Sequence, residues 1–90
     1  MQQVKTNGTV LAVHEWPGRG SAIVAIHGLT SNHTVWYPLA EALGGSHRLV
    51  AYDLRGRGNS AKPANGYSLA EHCDDLLGGA DRVGLLPLPR

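Results

Sequence analysis

With 90 residues, of which 42% are hydrophobic and 17% charged, the chain has the composition of one small globular domain, which excludes a disordered or fibrous protein. Eight basic against seven acidic residues leave a formal charge of +1 with no basic stripe, so nothing points to a nucleic-acid partner. One cysteine, Cys73, rules out an intrachain disulfide. With no apolar leader after Met1 and no apolar run near the roughly 18 residues of a membrane span, the expectation is a cytoplasmic protein without membrane contact.

Residues 4–15 alternate around Asn7-Gly8, a pair that tolerates positive φ at both positions, and this predicts an antiparallel hairpin. Pro17 to Ser21 break the pattern. Residues 22–27 (Ala-Ile-Val-Ala-Ile-His) then form a continuous apolar run, the pattern of a strand covered on both faces in a parallel sheet. A polar turn follows, and Trp36, Leu39, Ala40 and Leu43 fall at helical spacing, with Pro38 in or near the first turn and Gly44-Gly45 at the end. Residues 48–53 make the next short strand. Strand, helix, strand predicts a right-handed crossover between parallel strands.

Residues 54–67 are rich in Gly, Pro, Asn and Lys and are expected as an exposed loop at the carboxyl end of the sheet. Ser68 and Glu71 have capping-box spacing, which starts a second helix at about Leu69. Its apolar stripe is Leu69, Cys73, Leu76, Leu77, Ala80 and Val83, and Asp74 and Asp75 are placed on its solvated side. Gly78 and Gly79 each cost about 1 kcal/mol against alanine inside a helix, so its second half is expected to be weak. Pro87 and Pro89 exclude a central strand in the tail.

The apolar strand closing on His27-Gly28-Leu29-Thr30-Ser31, then Trp36, then Asp53-Leu-Arg-Gly-Arg-Gly-Asn-Ser60 about two dozen residues beyond the histidine, together resemble the α/β-hydrolase family over residues 10–77. In acyl transfer, a tetrahedral intermediate carries a negative oxygen that fixed backbone N–H groups stabilise. The resemblance implies that the residue after His-Gly, Leu29, offers one such donor, that Gly28 permits the sharp turn, and that His27 braces this oxyanion loop rather than acting as the base. It also implies that Asp53, Arg55, Gly56, Gly58 and Ser60 form a loop shaping the pocket rim, in which Arg55 or Arg57 can pair with Asp53 or cap nearby carbonyls.

No nucleophile of the form G-x-S-x-G is present. Three G-x-S triplets end in Ser46, Ser60 and Ser68, but Arg48, Lys62 and Ala70 stand where the second glycine belongs. These serines read as helix end, loop and N-cap. Residues 56–61 formally fit a dinucleotide-binding G-x-G-x-x-A, but Lys62-Pro63 prevents the helix that the pattern must open. Cys73 reads as a small core residue. His14, His33, His47 and His72 have no zinc-like spacing, so neither a metal site nor a cofactor is expected.

The fold class is therefore α/β: residues 1–90 as a single partial domain, the N-terminal half of an α/β-hydrolase sheet, with an antiparallel hairpin, parallel strands and two helices. The family order of the first five strands, 1-2-4-3-5, leaves the strand of residues 22–27 at an open apolar edge. That edge implies self-association and low stability. The functional expectation is a hydrolase fragment cut before the nucleophile elbow and inactive alone. Its parent would act on a small-molecule ester, lactone or related substrate. The alternative is a non-catalytic interaction or dimerisation module that uses the open edge, and the tail after Leu85 is expected to decide between them.

Overall fold

The computed structural model describes residues 1–28 and 31–85 of the chain. Strands β1 (Gln2–Thr6), β2 (Thr9–Trp16) and β3 (Gly20–Ile26) precede a 3-10 helix (His33–Trp36), helix α1 (Tyr37–Leu43), strand β4 (His47–Tyr52) and helix α2 (Leu69–Arg82). The four strands form one sheet in the order β1-β2-β4-β3, antiparallel for β1/β2 and β2/β4 and parallel for β3/β4. This is the predicted order. Asn7 and Gly8, at φ 50° and 72°, make the hairpin turn, whose twist matches that of the paired strands.

Alternation along the strands splits the core into two layers. Leu49 and Ala51 of β4 and Ala25 of β3 meet Trp36, Leu39, Ala40 and Leu43, so α1 and the 3-10 helix cover one face. Val50 and Tyr52, with Val4, Leu11, Val13 and Leu54, meet Leu76 and Val83, so α2 covers the other. Pro38 falls in the first turn of α1, where its missing N–H costs nothing, and Gly44 closes that helix in the left-handed region at φ 56°.

Several expectations are corrected. Among the described residues, strand β3 is an edge strand bonded to β4 alone; within it Ala25 is buried and Ile26 is exposed, so the run is not covered on both faces. Helix α2 carries the predicted Ser68–Glu71 capping box but continues unbroken through Gly78 and Gly79 to Arg82. A Cβ on Gly78 would lie 2.0 Å from the Thr6 hydroxyl oxygen, so the glycines let the helix axis approach the hairpin closely enough to bury Leu11, Gly79 and Ala80. That packing outweighs their low helix propensity. Leu69, Cys73 and Leu77 are exposed, so the stripe through Cys73 is not the buried face, and Asp75 is fully buried rather than solvated. Residues 54–67 do leave the carboxyl end of β4, but Leu54, Arg55 and Ser60 are buried. Of the tail Leu85 to Arg90, Leu85 packs against the α2-side core, and the expectations placed on the rest lie outside the described residues.

Burial pushes the Tyr52 phenol up to about 12, with Asp75 and Cys73 acting in the same direction. Between an unfolded-state value of about 10 and that value, the unfolded chain has lost this proton and the folded chain keeps it, so stability falls as pH rises. Urea unfolding across this window is expected to lose on the order of 2 kcal/mol, and Tyr52→Phe is expected to remove that part of the slope.

Candidate functional site: the carboxyl ends of the parallel strands

Strands β3 and β4 run in register up to Ile26 opposite Tyr52, so His27 and Asp53 leave the sheet side by side. The carboxyl ends of parallel strands are where open α/β sheets place ligands, because the loops diverge there. His27 is buried, and its Nε2 accepts a hydrogen bond from the Leu54 N–H at 2.9 Å. With Nε2 an acceptor, Nδ1 carries the proton and donates to the carbonyl of Gly28. Both ring nitrogens are thus committed to backbone. Gly28 is exposed, with open space where a Cβ would stand. Leu29 lies outside the described residues.

Asp53 is fully buried and is the hub of this end of the molecule. Its Oδ1 accepts from the His33 backbone N–H at 2.7 Å and from His33 Nδ1 at 2.8 Å; its Oδ2 accepts from the Asn59 N–H at 3.0 Å and from His14 Nε2 at 3.3 Å. With Nδ1 of His33 a donor, its Nε2 accepts from the Tyr37 hydroxyl at 3.2 Å. The rings of His14 and His33 stack with centroids 3.3 Å apart and planes 8° from parallel. Burial by itself would raise the Asp53 carboxyl, but the Asn59 and His33 donors outweigh it and hold the group below its ordinary value. Burial and the facing His33 hold His14 below its usual range, against the pull of Asp53.

The rest of the predicted rim loop folds around this carboxylate. Ser60 is buried, donates its hydroxyl to the Asp53 carbonyl and accepts from the Ala12 N–H at 2.9 Å, so it ties β2 to the end of β4. Gly58, at φ 50°, leaves no room for a side chain: its Cβ would stand 2.4 Å from Asp53 Cγ. Gly56, at φ 80°, is closed off in the same way by the Tyr67 ring.

Arg55 does not pair with Asp53, and neither does the exposed Arg57. Its guanidinium grips Asp75 of α2 with both Nε (2.7 Å) and Nη2 (2.8 Å), and also donates to the carbonyls of Gly66 and Asn7. Asn7 Nδ2 donates to the same Asp75 at 2.9 Å. The two glycines one turn past Asp75 are the signal that could have placed this residue on the sheet-facing side of α2. Sequence reasoning also missed His14 and His33, which come from separate elements and meet over Asp53 with their rings stacked; ligand-capable atoms of the three residues all lie within 4.8 Å of one another. A cleft of about 320 Å³ lined by Leu54 to Arg57, Tyr67 and His72 opens beside the loop.

A family profile for the α/β hydrolase fold matches residues 21–84. The chain is 39% identical over 61 residues to 2-(acetamidomethylene)succinate hydrolase of Mesorhizobium japonicum, a match covering 68% of this chain and 22% of that enzyme. The N-formylmaleamic acid deformylase of Pseudomonas putida S16 superposes with a TM-score of 0.82 at 36% identity, over 90% of this chain and 32% of that one. A thermophilic esterase from Thermogutta terrifontis does so at 0.84 and 30%, over 94% of this chain and 33% of its own. The chain belongs to the α/β-hydrolase fold family, and it spans about a third or less of the length of these relatives. No helix among the described residues is long and apolar enough to cross a membrane.

Removing one partner of a buried ion pair leaves an uncompensated charge, which costs about 3–5 kcal/mol, whereas an exposed carboxylate away from such features is worth under about 0.5 kcal/mol. Urea unfolding should therefore show Asp75→Asn severely destabilised and Asp74→Asn, one residue away, close to the parent chain.

Proposed function

We propose that this chain is the oxyanion-loop portion of an α/β-hydrolase whose whole active site hydrolyses small ester, lactone or related carbonyl substrates. The observation that carries this reading is the placement of His27-Gly28 at the end of β3, with the histidine's Nε2 held by the Leu54 N–H next to the buried Asp53. Fixed backbone donors are what a developing oxyanion requires, and a strand end pinned in this way is a suitable base for them. Leu29 would supply one donor. His27 is a brace in this account, and Asp53, Arg55, Gly56, Gly58 and Ser60 hold the rim against which the loop rests. The relatives named above are a hydrolase, a deformylase and an esterase, which supports hydrolysis of a small-molecule carbonyl compound.

No residue of the 90 fills the nucleophile's role in this reading. Ser60 has its hydroxyl buried and engaged on both sides, and Ser68 is spent capping α2. Residues 1–90 are then one partial domain whose nucleophile, acid and base come from sequence beyond it. The 90-residue chain is expected to give no p-nitrophenyl butyrate turnover and no serine labelled by a fluorophosphonate; turnover with one stoichiometrically labelled serine would overturn the reading. Grafted in place of the matching third of the Thermogutta esterase, the chain should support turnover. Leu29→Pro, which deletes the proposed donor, should then lower kcat by about 10²–10³. An unchanged kcat in that variant would remove Leu29 from the role.

The unpaired side of β3 is the second part of the proposal: the apolar, uncharged run of Gly20–Ile26 ends on an Ile26 that is 45% exposed, and such an edge pairs with another strand. Sedimentation of the 90-residue chain should show concentration-dependent self-association that Ile26→Lys reduces; a stable monomer at all concentrations would exclude it.

A further inference from the structure

We propose that the cleft between the β1–β2 hairpin and the segment that follows Ser60 binds a compact, non-aromatic ligand carrying two phosphate groups. This does not rest on the hydrolase reading. The cleft holds about 730 Å³, within the span of small-molecule sites, and Lys5, Asn7, Thr9, Lys62 and Arg82 are among the residues that line it. Three cations that lie far apart in the sequence thus meet around one space, and no acidic side chain lines it.

The three charges are free to take an anion. Arg48 is held by Glu15 and Arg55 by Asp75, whereas Lys5, Lys62 and Arg82 pair with no carboxylate among the described residues. Lys62 is the best placed of them. Its Nζ donates to the Gly58 carbonyl at 2.8 Å and to the Ser60 carbonyl at 3.4 Å, which fixes the ammonium and leaves one of its three N–H groups for a ligand. The backbone beside it is equally fixed: the Ala61 N–H donates to the Val10 carbonyl and the Gly56 N–H to the Ala61 carbonyl, each at 2.8 Å. Thr9 is a second, independent sign of a ligand. It is nine-tenths buried, and its hydroxyl has no hydrogen-bond partner among the described residues. A buried hydroxyl left in this state is costly, and an oxygen of a bound ligand, or a water that the ligand holds, removes the cost. The charge count selects the ligand. A phosphate group carries about −1.5 to −2 at neutral pH, so two such groups match three cations. Lysine binds phosphate as a point charge and needs no planar partner. No aromatic side chain lines the cleft, so a nucleobase has no surface to stack on, and a compact bisphosphate fits better than a nucleotide.

Titration of the isotope-labelled 90-residue chain with inorganic pyrophosphate, followed through its amide resonances, reads both the site and the fold. The expected result is one equivalent bound, with shifts gathered at residues 5–10 and 61–63, an affinity that falls as salt rises, and weaker binding of orthophosphate and of citrate. Lys5→Met and Lys62→Met should each weaken binding by at least about threefold, and their combination with Arg82→Met should abolish it. Thr9→Val, which removes the unpartnered hydroxyl and keeps the shape of the side chain, should weaken binding in a chain that stays folded. Arg19→Met removes the same charge at the opposite end of the sheet, beside the start of β3, and should leave the affinity unchanged. A folded chain that leaves pyrophosphate unbound overturns the proposal. So does full affinity in the triple variant or in Thr9→Val, an equal loss in Arg19→Met, or citrate bound as tightly as pyrophosphate.

Discussion

A carboxylate with no exposure to water holds together the end of this molecule where the parallel strands finish. Taking Asp53 out of water costs several kcal/mol unless donors replace the lost hydration, and the chain provides them from three directions: two from His33, one from His14 on β2 and one from Asn59 in the loop that follows. Each donor fixes a different segment. His14 locks β2 to the end of β4, His33 fixes the start of the 3-10 helix, and Asn59 curls the loop back over the strand. The loop between His27 and His33 is thereby held at both ends by adjacent residues, since Leu54 N–H binds His27 and the Asp53 carboxylate binds His33.

The other face of the sheet repeats the device with a different pair. Asp75 is as deeply buried as Asp53, and Arg55 meets it through two parallel hydrogen bonds while its remaining donors reach the backbone of Asn7 and Gly66. The planar guanidinium is suited to this because its fork matches both carboxylate oxygens at once. One side chain from the rim loop thus joins the hairpin turn, the loop before α2 and α2 itself. The parity of β4 explains why one short segment serves both faces: Leu49, Ala51 and Asp53 turn toward α1, and Val50, Tyr52 and Leu54 toward α2.

The elements that local chemistry encodes were legible in the sequence: the Asn7-Gly8 turn, the Pro38 helix start and the Ser68–Glu71 cap are each decided by residues within a few positions of one another. The strand order followed from family resemblance and not from composition. What could not be read is the pairing of charges. Asp74 and Asp75 are chemically identical neighbours, and a helical wheel centred on Leu69 and Cys73 points both outward, although Asp75 is buried. The true sheet-facing side is marked by small residues, Gly78, Gly79 and Ala80, which a hydrophobicity count underweights. Likewise, nothing in the spacing of His14, His33 and Asp53 announces a cluster, because three separate elements contribute to it and only the register of β2 against β4 brings them together.

The same register argument explains the imbalance of the sheet. Strand β4 is covered on both faces and flanked on both edges, and Leu49 through Arg55 form one uninterrupted buried stretch. Among the described residues strand β3 has a partner on one side only, and the residues that face the two helical layers are mostly only partly enclosed. His27 stands at the boundary between these regimes: it belongs to the edge strand, yet its ring is buried because it leans onto β4 through Leu54. The chain after His27 therefore leaves the edge strand next to a contact with the segment that follows the most buried strand. In the doubly wound arrangement of the family, a further strand beside β3 would complete the sheet and the cleft together, because the cleft opens where the loops of adjacent parallel strands diverge. Covering the exposed edge and assembling the active site are then one physical event. A partial sheet is therefore expected to lose stability and catalysis for the same reason.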